Sequence, residues 1–130
     1  MTVKRVILAA AMAAAGAAPA HHSFAMFSLD KTVTIDGTVK EWQWTNPHSW
    51  LELTVKRPDG TLVQYSFESR SIYLLTRAHA TRHSVVPGEM VKVTYNPLRD
   101  GSNGGSLLSV TSETGAVLIG GGPGAPPPGK

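Results

Sequence analysis

Residues 31–44 read "KTVTIDGTVKEWQW". Val33 and Ile35 alternate with polar neighbours, and Val39 resumes the alternation after Gly37. A period of two marks a strand with one buried face. A glycine inside such a strand predicts a bend or a bulge. A long, bent first strand is what a small sheet needs if it is to curl onto itself.

The next two stretches supply its neighbours. "SWLELTVKRPDG" (49–60) alternates Leu51, Leu53 and Val55, then ends in the turn signal Arg57-Pro58-Asp59-Gly60. "TLVQYSFES" (61–69) alternates Val63, Tyr65 and Phe67. The tight Asp-Gly link predicts that the two strands form a hairpin. Residues 69–85, "SRSIYLLTRAHATRHSV", lose the alternation and carry Ile72, Leu74, Leu75 and Ala78 at helical spacing, with Ser69 or Ser71 as the cap. "VVPGEMVKVTYNP" (85–97) is a Pro-Gly turn before a strand with Val91, Val93 and Tyr95 on one face. A glycine-rich loop, "LRDGSNGGS" (98–106), leads to a last strand in "SLLSVTSETGAVL" (106–118), with a small hairpin around Glu113 to Gly115.

Three strands, a short helix and two further strands are the order of a mostly β, five-stranded OB-like barrel with the helix between strands 3 and 4. Closing the sheet also removes the exposed edges of so small a β protein. An immunoglobulin-like sandwich needs about seven strands, more than the five or six countable here. The expected core is Leu51, Leu53, Val55, Val63, Tyr65, Phe67, Val91 and Val93.

Outside this block the composition changes. Residues 1–20, "MTVKRVILAAAMAAAGAAPA", read as a Sec-type signal peptide. Lys4 and Arg5 precede an apolar run too short to anchor in a bilayer, and Ala18-Pro19-Ala20 is an A-x-A site. Cleavage after Ala18 would set Pro19 just past the scissile bond, so the cut is expected after Ala20. The mature chain then starts His21-His22-Ser23-Phe24 in a periplasmic or secreted setting. Residues 21–119 form the single domain. Residues 120–130, "GGGPGAPPPGK", are too rich in glycine and proline to bury apolar surface. The net charge of +3 includes Lys4 and Arg5; without them 10 basic residues face 9 acidic ones. Such a balance excludes the positive stripe of a nucleic-acid binder. The chain has no cysteine, so an exported domain of this size must be stable without disulfides. No later segment is apolar for long enough to anchor in a membrane.

In combination, "HHSF", "WTNPHSW" and "NPLRDGSNGG" resemble a family of small secreted bacterial proteins known as a domain of unknown function. The resemblance runs from His21 to about Leu118 and implies no activity. The strand order also resembles the small periplasmic OB-fold proteins of bacteria, a likeness of fold that implies nothing about a site.

The candidate chemistry lies in the histidines. A mature N-terminal His21 offers an α-amine and an imidazole on one residue, and a second histidine completes a three-nitrogen set. Such an open, nitrogen-only arrangement suits copper as Cu(II). The α-amine, with a pKa of about 7.7–8.0, yields its proton to a metal at little cost near neutral pH. His48 is the in-chain partner, in a turn that Pro47 stiffens, and His22 is a further ligand. His79 and His83 stand i, i+4 and would share a face on a continuing helix; the competing reading places them at the helix end. No cysteine pair and no H-E-x-x-H signals zinc.

Trp42, Trp44 and Trp50 flank the same turn. They read first as core, given how much area an indole buries, and second as a platform in which Trp44 and Trp50 meet a ligand. Arg99 reads as a partner of Asp100 that pins its loop, or as the receiver of an anion. No catalytic set emerges: the serines next to histidines are sequence neighbours, which seldom reach triad geometry. The expected function is therefore an exported, monomeric binding module holding copper. The alternative is a metal-free adaptor that binds an envelope protein or small ligand through its tryptophans. A copper oxidative enzyme is a third reading, with no substrate surface to argue for it.

Overall fold

The computed structural model of the protein describes residues 24–120. The expected signal peptide, its cleavage point, His21, His22 and all but the first residue of the expected tail lie outside the described residues. One 3-10 turn, Phe24–Met26, precedes β1 (Val33–Gln43), β2 (Trp50–Lys56), β3 (Leu62–Glu68), α1 (Ile72–Arg77), β4 (Met90–Pro97), β5 (Gly104–Ser112) and β6 (Val117–Ile119).

β1 is shared between two neighbours. Its first half, Val33 to Thr38, pairs with β4, and its second half, Thr38 to Gln43, pairs with β2. β2 pairs with β3, and β4 with β5, all antiparallel. A short parallel pairing of β3 with β5, Ser66 to Glu68 against Gly104 to Ser106, closes the cylinder. The result is the expected five-stranded OB-like barrel, with the helix between strands 3 and 4 and with β6 added as a hairpin on β5.

Two glycines make the curvature possible. A Cβ on Gly37 would stand 2.6 Å from the Leu53 side chain and 2.9 Å from the Thr54 carbonyl. Gly37 therefore admits the close approach of β2, while the bulge itself comes at Lys40, between Val39 and Glu41. Gly104 sits at φ +137, and a Cβ there would run into the Ser66 carbonyl at the closure. The Arg57–Gly60 turn links β2 and β3 as the Asp-Gly signal predicts, with Arg57 and Thr61 backbones bonded across it.

The core follows the period-two reading. Leu51, Leu53, Phe67, Val91, Val93 and Val110 are fully enclosed, and Tyr95 tilts against Phe67 at a ring separation of 4.8 Å. Val55 and Tyr65 pack partly buried against this cluster. Val63, beside the hairpin turn, is only half-buried. Burial, and next the neighbouring Tyr65, push the Tyr95 phenol above its ordinary pKa.

The helix is shorter than residues 69–85. Ser71 caps its start by accepting from the Leu74 N–H, and Leu75 is its one buried residue. It stops because His79 adopts φ +65. The His79 N–H then bonds the Thr76 carbonyl and the Ala80 N–H the Leu75 carbonyl, which is the Schellman pattern. His79 and His83 therefore do not share a helical face, and the i, i+4 chelate has no helix to stand on.

Candidate functional site at the His48 loop

The β1–β2 connection, residues 44–49, is braced by its own side chains. The Thr45 hydroxyl donates to the His48 carbonyl at 2.8 Å, and the Ser49 hydroxyl donates to the Thr45 carbonyl at 3.1 Å. The Asn46-Pro47 bond is cis. Asn46 Oδ1 accepts from the Ile72 N–H at 2.9 Å, fastening the loop to the first turn of α1. Ser49 is completely enclosed. It accepts from the Ser69 N–H and donates to the Arg70 carbonyl, so two residues past β3 oppose one before β2. A doubled residue of this kind re-aims the side chains around it.

His48 leaves this frame with Nδ1 against two acceptors: Glu68 Oε1 at 3.0 Å and the Ser69 carbonyl at 3.1 Å. With two oxygens on one ring nitrogen, Nδ1 is the nitrogen that carries hydrogen, and in the neutral ring Nε2 carries the lone pair. A carboxylate on the far nitrogen is also how metal-ligating histidines are oriented. Glu68 is 7% exposed, and its Oε2 has no hydrogen-bond partner among the described residues. Buried polar atoms without partners are rare, and a lone one is a pointer to function.

Glu68 and His48 line a cavity of about 760 Å³ outside the β3–β5 closure. Its walls include Phe27 and Leu108, and the exposed Phe24, Leu29 and Leu74 stand at it too. Arg70 lines it as well, donating to the Gly120 carbonyl. Partial burial draws the Arg70 guanidinium below its ordinary pKa.

The residues after β4 hold the N-terminal segment in place. Leu98 bridges to Phe27, the Ser28 N–H donates to the Pro97 carbonyl, and Asn96 Nδ2 donates to the Lys31 carbonyl at 2.6 Å. Arg99 adds a backbone bond to Met26 and a guanidinium bond to the Phe27 carbonyl at 3.1 Å. Arg99 thus straps the N-terminal segment instead of pairing with Asp100, whose carboxylate accepts from the Ser102 N–H.

The sequence-derived candidates are therefore partly gathered. His48 is in the cavity; Trp44, Trp50 and Arg99 are not among the residues lining it. Trp42 is core and donates to the Thr81 carbonyl, and Trp44 packs on it at 5.9 Å. Trp50 pairs in register with Glu68, which puts both on the outer face of the sheet. His21 and His22 lie outside the described residues. Among the described residues no cluster of three or more histidine, aspartate or glutamate side chains could hold a metal. Sequence reasoning missed Glu68 and Arg70. Glu68 ends β3 on its outward face and Arg70 follows the strand, positions where charged residues read as solvated, and no spacing signals that they line a cavity.

These features define a small OB-like barrel with a buried carboxylate–histidine pair beside a lined cavity. The chain belongs to the family described as "Family of unknown function (DUF6152)", which matches residues 9–108. No curated protein and no solved structure matches it.

Proposed function

We propose that this protein is a small exported binding module that holds copper at the His48 end of its barrel. His48 ligates through Nε2, His21 through its α-amine and imidazole, and His22 stands as a further ligand. The observation that carries this reading is the shared cavity of His48 and Phe24. Phe24 follows His21 by three residues and His22 by two. Three residues span at most about 10 Å, which bounds the length of chain between Phe24 and either histidine. The Glu68 carboxylate supports the reading further, because it fixes the tautomer that presents Nε2. Bound copper would supply a Lewis acid with redox capacity; the chain's own part is to orient His48 and tether the terminus.

Calorimetric titration with Cu(II) tests this. The protein starting at His21 should bind, and binding should fall sharply for His48→Ala and for a chain with one residue added before His21. Equal binding by all three, or none tighter than about 10 μM, removes the copper reading. The metal-free binding module then takes its place.

A further inference from the structure

We propose that the cavity beside His48 also binds a small amphipathic zwitterion, of which an α-amino acid with a long apolar side chain is the simplest form. Its ammonium group meets the Glu68 carboxylate, its carboxylate meets the Arg70 guanidinium, and its apolar chain lies along Phe24, Leu29, Leu74 and Leu108.

Glu68 and Arg70 carry opposite charges, stand one residue apart, and line one cavity. Among the described residues they form no ion pair with each other: Glu68 Oε1 faces His48, and Arg70 bonds a backbone carbonyl. One carboxylate oxygen is thereby left buried with no donor. An unsatisfied charged acceptor is expensive, and a ligand ammonium satisfies it. The half-buried guanidinium spends one bond on Gly120, and its fork has further N–H donors suited to a carboxylate. A ligand of either sign alone leaves one of the two charges uncompensated; a zwitterion answers both.

The volume and walls fit the rest of such a molecule. About 760 Å³ lies within the range of small-molecule sites, which pair apolar walls with a few placed polar groups. Phe24, Leu29 and Leu74 are 70%, 56% and 46% exposed and stand together at this cavity. Contiguous exposed apolar surface marks a binding site more often than an accident.

The test is calorimetric titration of the metal-free protein, with chelator present, using three probes of one chain length: 2-aminooctanoate, octylamine and octanoate. Working without metal separates this proposal from the copper reading. The zwitterion should bind at least tenfold more tightly than either singly charged probe. Arg70→Gln should reduce it to the level of octylamine, Glu68→Gln to the level of octanoate, and Leu74→Ser should weaken it severalfold. Arg70 and Leu74 are partly or largely exposed, so those two variants keep the test decisive should Glu68→Gln not fold. Equal binding of the three probes overturns the proposal. So does no binding tighter than about 1 mM, which would mean that water alone meets Glu68.

Discussion

Nδ1 of His48 lies 3.0 Å from Oε1 of Glu68, joining the β1–β2 loop to the end of β3. The pair is asymmetric: the histidine side chain is 38% exposed and the glutamate 7%. The carboxylate is thus the inner member, and the imidazole the outer one. Removing the carboxylate leaves the Ser69 carbonyl as the remaining acceptor on Nδ1, so the ring is held less firmly.

Glu68→Gln is expected to lower Cu(II) affinity by about 10-fold or more, the usual cost of losing such a supporting carboxylate. His48→Ala should cost more, because it removes the proposed ligand and not its orienter. Calorimetry on the two variants side by side orders them; a larger loss for Glu68→Gln would reverse their roles.

Leu53 is fully enclosed and lies over Gly37. Leu53→Ala should destabilise the barrel by about 2–5 kcal/mol, as for other buried leucines. Urea unfolding measures it, and a loss below about 0.5 kcal/mol, the scale of a surface substitution, would contradict the observed strand face.

Gly104→Ala should be at least as harmful, although it adds a single methyl group. The new Cβ meets the Ser66 backbone, and φ +137 is strained for any side chain. Overpacking and backbone strain together should cost about 2 kcal/mol or more. The same urea experiment checks it.

His79→Gly should raise stability. His79 ends α1 at φ +65, a region where a side chain costs about 1 kcal/mol that glycine avoids. The expected gain is a fraction of that, because glycine also loses more freedom on folding. A rise of a few degrees in Tm, with Cu(II) binding unchanged, would support both the Schellman ending and the exclusion of His79 from the proposed copper site.

Acid should weaken the fold through Asp59 and Asp100. Hydrogen bonds from Thr61 hold the Asp59 carboxyl below its ordinary 3.8, and those from Ser102 do the same for Asp100. Because the folded-state values are the lower ones, the stabilisation is present above pH 3.8 and is lost as the pH falls through the folded-state values. Urea midpoints of Asp59→Asn and Asp100→Asn between pH 5 and pH 2 should fall less steeply than those of the unaltered protein.

The barrel was legible because its information is local. Val33, Ile35, Leu51, Leu53, Val91 and Val93 alternate along the chain, and alternation dictates which face is buried. Asp59-Gly60 and Pro87-Gly88 mark turns, and Ser71 marks a helix start, for equally local reasons. The details left open were decided at contacts between distant segments: the bulge falls at Lys40 while Gly37 admits the curvature, and Arg99 straps Phe27 instead of pairing with Asp100.

The site divides along the same line. By itself the sequence determined that His48 sits in a turn after the first strand, because Asn46-Pro47 favours a turn and Pro47 stiffens it. Only the tertiary structure decided that Glu68 is buried against it, that Arg70 shares its cavity, and that Phe27 is strapped there by residues 97–99. Period-two patterning states which way a side chain points from its sheet. It carries no term for what later covers that face, and a charged residue on an outward face is solvated or enclosed according to segments dozens of residues away.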